Sequence, residues 1–240
     1  LPLSRMEIKR TFLRGGCWQR LPRGKWRRLR RVKQELKQGE EINFFWAPGL
    51  DQVDVSQVRC LHRSRDFSIW FKPAGVMSQA TPFGDRGNML DLVQAQCGKS
   101  FLVHRLDREV SGLMYFAHHR LAIFSPQAWH LEVEKKYLAR VSNPPPAGSS
   151  GEIDLPLDGK EARSKWRLLA GDLLEVQILH GRKHQIRRHL AAKDMGILGE
   201  PRYAKAPCSE GLQLQAYSLS FPDAKKIGER LSFVLPPELV

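Results

Sequence analysis

The stretch from Val103 to Met114 constrains the fold more than any other part of the chain. It holds a carboxylate, Asp107, between Arg105 and Arg108, with an apolar run before it (Phe101, Leu102, Val103) and a second one (Leu113, Met114, Tyr115, Phe116) after Ser111-Gly112. Two short apolar runs joined by a polar, glycine-containing segment read as strand, loop, strand. Asp107 is therefore expected at a strand end or in the loop, where chemistry concentrates. On this stretch alone the plainer reading is a structural salt bridge to Arg105 or Arg108, the ordinary fate of a charged loop residue.

The length of 240 residues accommodates one large domain, or a medium domain with a small module. Lys and Arg number 39 against 25 Asp and Glu, a net charge of +14, so a polyanion such as nucleic acid is the first partner to expect and an anionic membrane surface the second. No apolar run approaches the ~18 residues needed to span a bilayer, and no signal-peptide pattern opens the chain. The expectation is a soluble, cytoplasmic protein with no membrane partner; the first residue, Leu1, leaves room for residues upstream. Cys17, Cys60, Cys97 and Cys208 are far apart and form no CxxC pair, which argues against a zinc knuckle or a disulfide framework. His180 and His184 have the i, i+4 spacing of a metal pair, with His189 nearby. Arg182, Lys183, Arg187 and Arg188 surround them and repel a cation, so a polar-surface role is expected and no metal. Gly98-Lys99-Ser100 looks like the end of a phosphate loop, but Val93 stands where that motif needs its first glycine.

Charge is concentrated at the start of the chain. Residues 1–37 carry thirteen Lys and Arg against Glu7 and Glu35, a surplus of +11. Ser4 and Glu7 have capping-box spacing, and Ile8 and Phe12 repeat at i, i+4 before Gly15-Gly16, which predicts a helix over 5–14. Trp18, Leu21, Trp26, Leu29 and Val32 interleave the basic residues that follow, favouring a folded basic surface over a free tail. Leu36-Lys37-Gln38-Gly39-Glu40-Glu41-Ile42-Asn43-Phe44-Phe45-Trp46 reads as a turn feeding a strand. This pattern resembles the small S-four-like RNA-binding module over residues 1–46. The resemblance implies a small α+β domain in which Arg27, Arg28, Arg30 and Arg31 meet RNA phosphates, a contact that guanidinium groups make without choosing sequence. Residues 47–58, with Pro48 and Gly49, read as a linker. The proline-rich segment 143–151 reads as a surface loop.

Three other segments beyond residue 60 are read together with the opening one. Lys72-Pro73-Ala74-Gly75 ends a strand, His104-Arg105-Leu106-Asp107 leads to Ser111-Gly112-Leu113, Glu134-Lys135-Lys136-Tyr137-Leu138 begins a strand, and Gly181-Arg182-Lys183-His184-Gln185-Ile186-Arg187-Arg188-His189-Leu190 begins a helix. In this order and spacing, with Gly196-Ile197-Leu198-Gly199-Glu200-Pro201-Arg202-Tyr203 beyond, they resemble the RluA family of RNA pseudouridine synthases. The resemblance implies an α+β catalytic domain over residues 59–240, built on a mixed, mostly antiparallel sheet. It also implies the isomerisation of uridine to pseudouridine in structured ribosomal or transfer RNA, by a monomer without cofactor or metal.

The same resemblance implies residue roles. Asp107 is the essential carboxylate, acting as nucleophile or base. Tyr137 is the planar side chain that holds the flipped-out base. Arg187 is the cation that pairs with Asp107. Arg105, Arg182, Lys183 and Arg188 face RNA. Lys183 and Arg187 would be like charges at i, i+4 of one helix, a pairing that calls for anionic partners. Val110, Lys183, Met77-Ser78-Gln79, Glu200 and Gln215 depart from the family pattern, which bears on substrate choice. Two rival readings remain: a non-catalytic RNA-binding or ribosome-assembly factor on the same fold, and a glycosidase-like hydrolase. The second needs another well-placed carboxylate, and Glu109 is too close in sequence to serve.

Overall fold

The computed structural model describes residues 3–46, 54–119, 132–223, 226 and 228–239. Most of the expected linker, residues 47–53, lies outside them. The first unit opens with helix α1 (Arg5–Arg14), closed by the expected capping box: the Ser4 hydroxyl accepts from the Glu7 amide, and the Glu7 carboxylate accepts from the Ser4 amide. Gly15, left-handed at φ 90°, ends the helix. Strands β1 (Cys17–Arg20), β2 (Arg27–Arg28) and β3 (Glu41–Phe44) follow and form an antiparallel sheet in the order β2-β1-β3.

The second unit is a large mixed sheet. Its strands are β4 (Arg59–Arg63), β5 (Phe67–Lys72), β6 (Phe101–Leu102), β7 (Ser111–Ala117), β8 (Glu134–Arg140), β9 (Ser150–Asp154), β10 (Arg163–Ala170), β11 (Leu173–Ile178), β12 (Leu214–Pro222) and β13 (Arg230–Val234). The main path runs β4-β5-β7-β12-β8-β11-β10-β9, with β6 beside β7 and β13 beside β12. Among the described pairings only β7 with β12 is parallel, so the sheet is mixed and mostly antiparallel, as expected. Among the described residues, helices α2 (Met89–Cys97) and α3 (Gln185–Ala192) and a 3-10 turn at Pro237–Leu239 accompany the sheet, an α+β architecture.

Both faces of the central strands are covered, which is why β7 reads as a nearly unbroken apolar run. Met114 and Phe116 of β7 join Trp70, Met89, Val93, Leu174, Val176, Ile186 and Leu190 on the face that carries α2 and α3. Leu113, Tyr115 and Ala117 point to the opposite face, into a cluster with Ile69, Phe71, Leu219, Phe221 and Leu235. The parallel contact between β7 and β12 depends on Gly112. At φ 128° its Cα faces the Ala216 backbone so closely that a Cβ would collide with it. Tyr137 is the register partner of that same Ala216 on the other side of β12. Gly112, Ala216 and Tyr137 thus form a row across three strands, bringing the loop before β7 close to the middle of β8.

Candidate active site

The loop between β6 and β7 is pinned from several directions. The His104 imidazole accepts the Tyr115 amide through Nε2 at 3.0 Å. Burial, with the Lys135 charge second, pushes His104 down to about 3, so the ring is neutral and able to accept. The Ser78 hydroxyl donates to the Leu106 carbonyl at 2.7 Å and accepts the Leu106 amide at 3.1 Å. The buried Lys72 ammonium donates to the Pro73, Val76 and Arg108 carbonyls at 3.0, 2.7 and 3.1 Å. Burial lowers Lys72 to about 7, opposed by Glu109 and Asp107, while the three carbonyl oxygens solvate the charged form. The Gly75 amide adds a bond to the Arg108 carbonyl at 2.7 Å. The turn at 72–75 therefore does structural work on the Asp107 loop.

This anchoring leaves the Asp107 side chain 28% exposed on a cavity of about 590 Å³. Tyr137, Arg187, Arg105, Arg182 and Lys183 line the same cavity. Tyr137 is buried except for its cavity edge, and burial, reinforced by the Asp107 charge, raises its phenol well above the ordinary value. The ring is a neutral, apolar floor. Lys135, lowered to about 8 by burial, borders the cavity as well.

Arg187 reaches the site from α3 with its side chain only 1% exposed. Its Nε and Nη2 donate to the two carboxylate oxygens of Glu200 at 2.5 and 3.0 Å, a bidentate pair in which the Glu200 side chain is 0% exposed. The remaining Nη1 points to Asp107 Oδ2 at 3.4 Å and Glu109 Oε2 at 3.6 Å. Burial alone would raise Glu200; the Arg187 hydrogen bond and the Arg202 and Tyr203 amides outweigh it and lower it. One buried guanidinium is thus clamped along one edge and offers its tip to Asp107.

The expectation that Lys183 and Arg187 stack as like charges on one helix is corrected. Helix α3 begins at Gln185, and His184 caps it in the left-handed region at φ 54°. Gln185 folds back to accept the Arg182 amide at 3.1 Å and donate to the Arg163 carbonyl at 2.8 Å, which holds residues 181–184 as a loop. Lys183 is exposed there, and the anionic partners of Arg187 answer to its own burial. His184 instead faces Asp107, Nε2 to Oδ2 3.7 Å, and pairs through Nδ1 with the Tyr203 hydroxyl at 2.7 Å. The polar-surface expectation also fails for His189, which is buried between the Ser164 hydroxyl and the Leu155 carbonyl.

Several expected RNA contacts are committed to the protein itself. Arg188 forks onto Asp158 at 2.9 and 3.1 Å, and Arg182 donates to the Glu161 carbonyl at 2.9 Å. Arg28 lies over the Trp18 ring at 4.3 Å and pairs with Asp85, to which Arg30 also binds. Arg27, itself exposed, donates to the amide oxygen of the buried Gln19 at 3.1 Å, and Arg31 is exposed, as is Arg105 at the cavity mouth. Sequence reasoning assigned no site role to Ser78, His104, His184 or, above all, Glu200; Ser78 and Glu200 stood out only as departures from the family pattern.

The pattern of the family described as RNA pseudouridylate synthase matches residues 66–192, more than half of the chain and all of the loop that carries Asp107. The chain belongs to this family. An uncharacterized RNA pseudouridine synthase of Chloroflexus aurantiacus is 36% identical over 160 residues, covering 55% of this chain and 50% of that one. The dual-specificity RNA pseudouridine synthase RluA of Vibrio vulnificus is 30% identical over 193 residues, covering 68% and 77%. The chain thus spans about half the length of the first of these relatives and about three quarters of the second. Among solved structures, human RNA pseudouridylate synthase domain containing 1 superposes with a TM-score of 0.63 at 21% identity, over 78% of this chain and 86% of that one. At that identity the likeness is one of fold.

Proposed function

We propose that this protein isomerises uridine to pseudouridine in structured ribosomal or transfer RNA, with Asp107 as the essential carboxylate. The observation that carries the proposal is the pairing of Asp107 with the clamped Arg187 tip at 3.4 Å, on a cavity floored by the neutral Tyr137 ring. The reaction breaks the bond from uracil N1 to ribose C1′, joins C1′ to uracil C5, and exchanges the C5 hydrogen for a proton on N1. It is redox-neutral and calls for no cofactor. Asp107 acts on the ribose or the ring, Tyr137 stacks on the base while it detaches and turns, and Arg187 orients and balances the carboxylate. Arg105 supports the flipped nucleotide from the cavity mouth. The relatives' names support this reading, which extends to a cytoplasmic monomer whose residues 1–46 are an RNA-binding module, joined by a linker over 47–58 to a catalytic domain over 59–240.

Incubating the full chain with cellular RNA carrying tritium at uracil C5 tests the proposal. Release of tritium to water by the wild type and not by Asp107→Ala is the expected result. Release undiminished by that substitution, or none from any RNA, contradicts it.

A further inference from the structure

Three consecutive carbonyls of the segment between β5 and α2 each accept a hydrogen bond from a side chain of the first unit. Arg28 Nη2 donates to Thr81 at 2.8 Å, Trp18 Nε1 to Pro82 at 2.9 Å, and Arg14 Nε to Phe83 at 2.8 Å. The Asp85 amide returns a bond to the Arg14 carbonyl at 3.1 Å, and the Asp85 carboxylate takes Arg28 and Arg30 at 3.1 and 2.5 Å. The Phe45 and Phe83 rings meet edge to face at 5.6 Å. Glycines make this approach possible: a Cβ on Gly84 would strike the Arg14 stem, and one on Gly16 would crowd the Phe83 carbonyl. Three consecutive backbone acceptors satisfied in series, two of them by part-buried guanidinium donors, hold a segment more firmly than isolated surface ion pairs do.

The other end of the same segment reaches the catalytic loop. Ser78 clasps both backbone groups of Leu106, the residue before Asp107. Met77, Thr81 and Phe83 face Asp107 and His184 across a second cavity of about 340 Å³. A continuous set of contacts therefore runs from Arg28 through residues 78–85 to Leu106. A module that only captured RNA would have no need of it.

We propose that the first unit, residues 3–46, is a positioning element for Asp107: by holding residues 81–85 it fixes Ser78, and through Ser78 the backbone that presents the carboxylate. This rests on the proposed isomerase reading. Arg28 and Ser78 touch no reacting atom and act through the loop. Removing the dock slows the chemical step with RNA saturating, where a capture module would raise only KM.

The full chain is compared as wild type, Arg28→Ala, Ser78→Ala and the double variant, by single-turnover tritium release at saturating RNA and by amide hydrogen exchange without RNA. Trp18→Phe, which keeps an aromatic ring under Arg28 and removes the donor to Pro82, is a milder cut at the same dock should Arg28→Ala fail to fold. Displacing a catalytic group by about 1 Å costs on the order of 100-fold, so each single variant is expected to lose roughly 10- to 100-fold in the saturated rate. The double variant is expected to be no slower than the slower single one, because both cuts lie on one path. Exchange at residues 104–108 is expected to quicken in Arg28→Ala. An unchanged saturated rate with a raised KM, or losses that multiply in the double variant, overturns the proposal. So does exchange that quickens only within residues 14–28 and 81–85. The exchange result stands without any activity, so failure of the isomerase reading, seen as no tritium release by the wild type, is distinguished from failure of this one.

Discussion

Replacing Glu200 with Gln keeps the side-chain volume and removes the charge that clamps Arg187. Arg187 is 1% exposed, and two of its three hydrogen-bonding nitrogens, Nε and Nη2, are held by Glu200 at 2.5 and 3.0 Å. Removing one partner of a buried ion pair costs about 3–5 kcal/mol, because the other charge stays buried without compensation. Asp107 and Glu109, at 3.4 and 3.6 Å from Nη1, retain part of the compensation, which places the loss near the lower figure, roughly 3 kcal/mol. For a chain of this size each kcal/mol shifts Tm by about 2–4 °C, so Glu200→Gln is expected to melt roughly 6–12 °C below the wild type by circular dichroism at neutral pH. Glu200→Asp keeps the charge and is expected to recover much of the loss. Because the freed guanidinium is drawn toward Asp107, the saturated rate should fall along with Tm. A Tm for Glu200→Gln within about 2 °C of the wild type would refute the reasoning, since the clamp would then carry little of the burial cost of Arg187.

Three further outcomes follow from the same geometry. Tyr137→Phe keeps the ring and loses a hydroxyl that burial holds neutral, so it should retain most of the activity. Tyr137→Ala should lose roughly 5- to 150-fold, the worth of stacking one base, as read by single-turnover tritium release. His104 binds no proton in the folded chain until about pH 3, whereas the unfolded chain takes one near the ordinary value of 6.5. Its contribution is therefore complete above 6.5 and lost as pH falls toward 3, at up to about 1.4 kcal/mol per pH unit. His104→Asn, whose amide oxygen can still accept the Tyr115 amide, should show a shallower fall in stability through that window in denaturant melts. Arg31 is exposed, whereas Arg28 is docked, so Arg31→Ala should reduce the slope of log affinity for RNA against log salt by about 1, as a filter-binding titration would show.

Much of the fold was legible because local signals agreed with the tertiary environment. Helix 5–14 appeared at its expected ends because Ser4, Glu7 and Gly15 each supply a local hydrogen bond or backbone conformation that needs no distant partner. Strand β7, which follows Asp107, and its neighbour β5 were legible because their apolar runs are buried on both faces; β6, before Asp107, is two half-buried residues. What the sequence concealed is long-range. Nothing near Arg28 in the chain announces that its guanidinium ends on the Thr81 carbonyl rather than on RNA; a basic run looks the same whether docked or free. The start of α3 was misplaced because periodicity cannot see His184 adopt a left-handed conformation, held by Gln185 and by Tyr203 from another segment. Glu200 and Ser78 registered only as departures from a family pattern, yet one anchors Arg187 and the other Leu106. For Arg28, Glu200 and Ser78 the deciding contact spans more than ten residues of sequence, which composition does not carry.

The central claim, that Asp107 makes this site an RNA uridine isomerase, is tested most directly by mapping pseudouridines after incubating RNA from a strain lacking this gene with the purified protein. The wild type should create pseudouridine at discrete positions, and Asp107→Asn, folded to the same Tm within a few degrees, should create none. Pseudouridine appearing equally with Asp107→Asn, or at no position with the wild type, would contradict the account.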